Sequence, residues 1–227
     1  MIKAILFDLD DTLYDYSPVS KKALEKVYKI LKKEIKISKT KFLKVFNDSK
    51  KEVRKELSHS PDSHDRIIYF QRFGEKLNLN LNLTLKLYNI YYNSFLKLIK
   101  KRKGVKETFK KIKEKGLKII IVTNEVVEIQ LRKIKKLGLI NYVDYFVASE
   151  NVGVDKPNKK IFLYALKKIN AKPFEVMMVG DNERDDIFGA NQVKINSILL
   201  TKKRIKSKAN FVIKEIPEVL KILNDLK

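Results

Sequence analysis

Residues 2–13 read Ile2-Lys3-Ala4-Ile5-Leu6-Phe7-Asp8-Leu9-Asp10-Asp11-Thr12-Leu13. The run Ile2 to Phe7 is nearly continuous in apolar residues and predicts a buried strand. Asp8 and Asp10 stand at its end. Two carboxylates two residues apart at a strand tip can meet one divalent ion and one phosphoryl group. That pairing implies metal-assisted phosphoryl transfer with an aspartate nucleophile. It gains weight from three more polar groups downstream, each after a predicted strand.

After the first strand, 18–100 show only helical periodicity. Ala23, Leu24, Val27, Tyr28 and Leu31 form one apolar face. Phe42, Leu43, Val45, Phe46, Val53 and Leu57 form a second, with Ser38 as its N-cap. Ile67, Ile68, Phe70, Phe73 and Leu77 mark a third helix, and Leu85, Tyr88, Tyr91, Tyr92, Phe95 and Leu98 a fourth. These predict an all-helical bundle. The tyrosines read as bundle core rather than as a base-stacking platform.

From Val105 the pattern changes. A helix ends at Gly116, Leu117 to Val122 is an aliphatic run, and a helix over about Val126 to Leu137 stops at Gly138. Asp144 to Ala148, Val176 to Val179 and Ser197 to Leu200 read as further strands. Pro157 suits the first turn of a helix whose buried face is Ile161, Phe162, Ala165, Leu166 and Ile169. Strands alternating with helices of about ten residues predict a Rossmann-like, doubly wound parallel sheet covered on both faces. The expected fold is α/β. Residues 1–15 and 104–227 make the core, and the helical bundle of 16–103 is inserted into it.

Four groups of polar residues follow four predicted strands, and strand C-termini of a parallel sheet share one edge. They are Asp8, Asp10 and Thr12; Thr123 and Asn124; Lys156, ahead of Pro157; and Gly180-Asp181-Asn182-Glu183-Arg184-Asp185-Asp186. The last holds four acids in six positions of a basic protein. Acids so crowded repel unless a cation sits among them. A helix N-terminus accounts for Asp185 or Asp186. It leaves Asp181, which follows its strand as Asp8 follows the first, as a candidate metal ligand.

In these motifs and their order the chain resembles the haloacid dehalogenase superfamily of phosphohydrolases, across essentially its whole length. The resemblance implies that Asp8 attacks phosphorus and forms an aspartyl-phosphate, and that Asp10 protonates the leaving oxygen and then activates water. It implies Mg²⁺ held by Asp8, the backbone carbonyl of Asp10 and Asp181. Thr123 and the amide of Asn124 would bind phosphate oxygens, and Lys156 would neutralise charge on them. Asp186 would orient Lys156 or a metal-bound water, while Asp185 reads as a helix cap. Thr12 is expected to satisfy turn backbone groups, and Asp11 to be exposed. The chain departs from the family's Thr-Asn-Gly in having Glu125 after Asn124. That implies an altered phosphate loop or a negative charge near its mouth.

His59 and His64 fall in a polar stretch that reads as a turn and an N-cap. A sharper reading makes His64 and Arg66 substrate selectors contributed by the helical cap.

Composition narrows the alternatives. The chain has 227 residues, a net charge of +23 and no cysteine. Disulfides, zinc–thiolate sites and a cysteine nucleophile are excluded. No apolar run suits a membrane span and no secretory signal is evident, so a cytoplasmic protein is expected. The positive charge admits a nucleic-acid-binding protein without catalysis. The lysines, however, are spread at helical spacing rather than gathered in an arm, which points to solvated helix faces. The seven glycines form neither a dinucleotide-binding nor a P-loop pattern. The expected activity is a phosphatase of a small phosphorylated metabolite, acting as monomer or homodimer. A phosphomutase using the same aspartyl-phosphate is the alternative.

Overall fold

A computed structural model of the chain describes residues 1–58 and 60–226; His59 lies outside the described residues. Packing divides the chain into two units, Met1–Asp15 with Lys100–Lys227, and Tyr16–Ile99.

The first unit is built on six parallel strands: β1 (Ala4–Phe7), β2 (Lys118–Thr123), β3 (Tyr145–Ala148), β4 (Val176–Gly180), β5 (Asn196–Leu200) and β6 (Phe211–Ile213). Their order is β3-β2-β1-β4-β5-β6. The helices are α5 (Val105–Glu114), α6 (Val127–Lys136), α7 (Lys159–Ile169), α8 (Gly189–Gln192) and α9 (Val219–Asp225), the first four helices of the chain belonging to the second unit. All four residues of β1 are completely buried, as expected for a central strand with both faces covered. Ala4 and Leu6 lie on one face with Ile120, Val122, Ile161, Phe162 and Met178. Phe7 contacts the ring of Phe109 from α5, with centroids 4.8 Å apart.

Register aligns the strand ends. Phe7 pairs with Ile121 of β2 and with Val179 of β4. Asp8, Thr123 and Asp181 therefore leave three adjacent strands within a residue or two of the same level. Such a crevice at strand C-termini, where the strand order reverses about β1, is where open α/β sheets bind ligands.

Two local expectations change. Strand β6 has only three residues, too short for a period to show, and Val212 is exposed. Helix α7 starts at Lys159, not Pro157. Asn158 is its N-cap, accepting the Lys160 amide at 3.0 Å. An asparagine carboxamide can bond an orphan amide of the first turn, which proline cannot do.

The second unit contains α1 (Tyr16–Glu34), α2 (Lys39–Glu56), α3 (Arg66–Lys76) and α4 (Leu81–Leu98). Ser38 caps α2 by accepting the Lys41 amide at 3.2 Å. The core is aromatic. Phe42, Phe46, Phe70 and Phe73 pack in stacked, tilted and edge-on pairs, and Phe70 reaches Tyr91, which meets Phe95. Tyr91 and Tyr92 are buried here, so the tyrosines serve as core. Leu43 and Leu85, expected on apolar faces, are exposed. Outside the core, Arg72 gathers Glu56 at 2.8 Å, Glu75 at 3.4 Å and Glu52 at 3.9 Å, a solvated cluster worth little to stability.

Candidate active site

Lys156 is the hub of the site. Its ammonium is buried and donates to Asp8 Oδ1 at 2.7 Å, to Asp186 Oδ1 at 2.6 Å and to the Val122 carbonyl at 2.9 Å. Three donors meet three acceptors, so nothing on the ammonium is left unsatisfied. Burial alone would lower its pKa, but the carboxylates of Asp186 and Asp8 raise it above the ordinary lysine value. Lys156 is therefore a permanent cation.

The loop carrying Lys156 is pinned by Asn124. The Asn124 side-chain carbonyl accepts the Lys156 amide at 2.7 Å, and its side-chain NH₂ donates to the Lys156 carbonyl at 3.1 Å. This fixes the end of β2 to the loop after β3. The Asn124 side chain thus clamps a backbone unit, a function additional to the amide contact anticipated from sequence. Thr123 is buried, and its hydroxyl accepts from Gln130 Nε2 at 2.8 Å. Accepting there leaves its own proton to be donated elsewhere.

Asp8, Asp181 and Asp186 each offer a carboxylate oxygen, and these oxygens lie within 4.8 Å of one another. The Thr12 hydroxyl lies 2.9 Å from Asp8 Oδ2 and 3.0 Å from Asp181 Oδ1. Thr12 therefore bridges two carboxylates instead of serving the turn backbone, and one hydroxyl proton must be shared between them. Three acids against one ammonium leave an excess of negative charge in a desolvated place. The carboxyl groups respond as expected. Burial, with Asp186 and Asp10 nearby, pushes Asp8 up to about 7 despite Lys156. Burial and the Asp8 charge push Asp181 up to about 7 as well. Burial raises Asp186 too, against the pull of Lys156. Oxygen donors, excess negative charge and close spacing suit a hard divalent cation. An octahedral ion with oxygens at about 2.1 Å spans about 4.2 Å between opposite ligands.

Gly180, the last residue of β4, permits this crowding. A Cβ there would stand 2.2 Å from Asp186 Oδ2. Asp186 sits in a π-helical turn, Glu183–Phe188, and also accepts the Asn182 amide at 3.1 Å. Asn182 is the residue that caps this turn, accepting the amides of Arg184 and Asp185 at 3.0 Å. Asp185 lies inside the first turn and accepts the Asn182 side-chain NH₂ at 3.2 Å, so the cap expected of Asp185 belongs to Asn182.

Asp10 is turned toward α6. Both its oxygens accept from Lys133 Nζ, at 3.0 and 2.8 Å, and Oδ1 also accepts from the Tyr14 hydroxyl. Lys133 is bonded in turn to Glu125 Oε2 at 2.8 Å. Glu125 is fully buried, which overturns the expectation of a charge at the phosphate loop's mouth. Asp11 is half-buried rather than exposed.

Lys133, Gln130 and Tyr14 were not legible as site residues from motifs alone. A signal existed nonetheless. Val126, Ile129, Ile134 and Leu137 define the apolar stripe of α6, and Gln130 and Lys133 stand inside it. Both are buried, where the period calls for apolar side chains.

His64 and Arg66 lie in the helical unit. His64 ends a 3₁₀ turn, Pro61–His64, and Asp65 caps α3 by accepting the Ile67 amide at 3.0 Å. Arg66 is buried. It donates to the Tyr16 hydroxyl at 2.7 Å and to the His64 carbonyl, with its guanidinium over the rings of Tyr16 and Tyr69.

Comparison with known proteins agrees with this geometry. Residues 5–200 match the model of the haloacid dehalogenase-like hydrolases. A ribulose-1,5-bisphosphate 5-phosphatase of Halopiger xanaduensis is 33% identical, over 88% of this chain and 84% of its own. A glyceraldehyde 3-phosphate phosphatase of Methanothermobacter thermautotrophicus is 28% identical, over 93% of this chain and 91% of its own. The crystal structure of a phosphatase of the same superfamily from Thermococcus onnurineus superposes with a TM-score of 0.78 at 28% identity, covering 98% of each chain. A strand-end Asp8 bound to a buried lysine, a second acid two residues on and a crowded acidic turn after β4 thus stand where the matched model runs, and the chain belongs to the haloacid dehalogenase-like hydrolase family.

Proposed function

We propose that the chain is a Mg²⁺-dependent phosphatase of small phosphorylated sugars that works through an aspartyl-phosphate on Asp8. The observation that carries this reading is the meeting of Asp8, Asp181 and Asp186 around one buried lysine.

Asp8 has two inequivalent oxygens. Oδ2 shares the Thr12 hydroxyl with Asp181, and Oδ1 faces Lys156. Oδ1 is the nucleophile in this reading. Its bond to phosphorus forms as the bond from phosphorus to the sugar oxygen breaks, and Asp10 gives that oxygen a proton. Water then attacks phosphorus and loses a proton to Asp10, the Asp8–phosphorus bond breaks, and inorganic phosphate leaves. Lys156 balances charge on the phosphoryl oxygens throughout, because it cannot give up its proton at neutral pH. The Thr123 hydroxyl, oriented by Gln130, and the Asn124 amide hold the phosphoryl group. Asp8, Asp181 and the Asp10 carbonyl would hold the metal, with Asp186 beside them. When bound, magnesium supplies positive charge against the phosphoryl oxygens.

The relatives support a sugar phosphate as substrate, since two of them act on ribulose bisphosphate and on glyceraldehyde 3-phosphate. No helix among the described residues is long and apolar enough to cross a membrane.

The test is a phosphatase screen over phosphorylated sugars with Mg²⁺, with Asp8→Asn run beside the native chain. Turnover should vanish in the variant, as should acid-stable labelling of the protein by [³²P]-substrate. Full turnover by Asp8→Asn would remove the nucleophile assignment.

A further inference from the structure

Helix α6 buries a lysine and the loop before it buries a glutamate. Lys133 and Glu125 are each about 1% exposed at the side chain and lie 2.8 Å apart. An ion pair sunk this deep is a poor source of stability, because removing both charges from water offsets most of their attraction. Two apolar residues of similar size would pack the same space at no such penalty. Asp10 is a further partner of the pair. Lys133 Nζ reaches both of its oxygens, at 3.0 and 2.8 Å. The Tyr14 hydroxyl donates to Oδ1 from the same turn. The Asp10 side chain keeps 24% of its surface open to solvent, so it is gripped on one side and accessible on the other. Glu125 cancels the charge of Lys133. Asp10 is therefore held by directed hydrogen bonds rather than by a net cation.

We propose that Lys133, seated on Glu125, is the positioning residue for Asp10. It fixes the plane of the carboxyl group that hands its proton to the leaving oxygen. This rests on the assignment of Asp10 as general acid. It also gives Glu125 a purpose: the side chain anchors Lys133 beneath Asp10.

The test compares two substrates that differ in their need for an acid. An alkyl phosphate such as glycerol 3-phosphate loses an alkoxide, which requires a proton. p-Nitrophenyl phosphate loses a phenolate, which does not. The ratio kcat/KM covers the steps up to departure of the leaving group, so it isolates the acid step from the later attack of water. The double variant Lys133→Met/Glu125→Gln leaves neither charge of the pair buried alone. Its kcat/KM for glycerol 3-phosphate should fall about 100-fold, the low end of what a placed general acid supplies. Its kcat/KM for p-nitrophenyl phosphate should fall only about threefold, on the same argument. An equal fall for both substrates would overturn the proposal, since a merely structural role weakens both alike. If the double variant does not fold, Glu125→Gln alone should shift the ratio in the same direction by about threefold. An unchanged ratio in that variant would also overturn it. Asp8→Asn is assayed in parallel: turnover there would defeat the aspartyl-phosphate reading itself, an outcome separate from either of these.

Discussion

Lowering the pH from 8 to 6 should weaken Mg²⁺ binding by about 100-fold. Asp8 and Asp181 are both pushed up to about 7, first by burial and then by neighbouring carboxylates. A cation binds the ionised forms, so below that value it must displace protons. For a group titrating near 7, the protonated state lowers apparent affinity about tenfold at pH 6 and hardly at all at pH 8. Two such groups give about 100-fold, or about 2.7 kcal/mol. Asp186 stands beside the proposed metal ligands rather than among them, bonded to Lys156 at 2.6 Å, and adds no proton to the exchange. The sign for the metal-free protein is the reverse. Both carboxyls bind protons more tightly folded than unfolded, so their contribution to stability is full below pH 4 and is lost as pH rises through 7. Saturating Mg²⁺ removes that loss. Calorimetric titration at pH 6, 7 and 8, in buffers of differing ionisation enthalpy, reads both the affinity and the protons released. Up to about two protons should leave per ion at pH 6 and almost none at pH 8. In thermal unfolding at fixed Mg²⁺, the gain in Tm should be larger at pH 8 than at pH 6 by about 5–10 °C. Asp181→Asn should cut the pH effect on affinity to about tenfold, because one titrating group is gone. An Mg²⁺ affinity that does not change between pH 6 and 8 would refute the reasoning.

Three further changes test separate parts of the structure. Lys156→Met removes the buried cation from between Asp8 and Asp186, and should destabilise the fold by about 3–5 kcal/mol while abolishing turnover; denaturant unfolding and the phosphatase assay check both. Asn124→Ala deletes the two hydrogen bonds that fix the Lys156 backbone, and should lower stability by about 1–3 kcal/mol with a fall in kcat larger than any rise in KM. Phe73→Ala opens a cavity in the aromatic core of the helical unit, and denaturant unfolding should show a loss of about 3–5 kcal/mol.

Much of the sheet could be read directly from the residues. The run ending at Phe7 and the aliphatic stretch before Thr123 are long enough for buried strands to show, and Gly116 and Gly138 mark where helices end. Asp8, Thr123, Lys156 and Asp181 stood out because each comes after such a run. The short β6 left no period to detect. Helix α7 begins at Lys159 rather than with Pro157 in its first turn, because Asn158 is the side chain that reaches a free amide there.

The amino-acid sequence by itself determined the alternation of strands and helices, the separate helical stretch and the order of the polar groups after the strands. Those arise from periodicity and chain order, which are local properties. Only the tertiary structure decided who pairs with whom. Lys156 reaches Asp8 across 148 residues, Thr12 bridges to Asp181 across 169, and Lys133 reaches Asp10 across 123. The lysines at 133 and 156 stand among 50 basic residues, most of them ordinary helix-face charges. Chain position marks Lys156 and the apolar stripe around it marks Lys133, but their partners are set by burial against carboxylates, because desolvation makes an ion pair matter that water would otherwise screen.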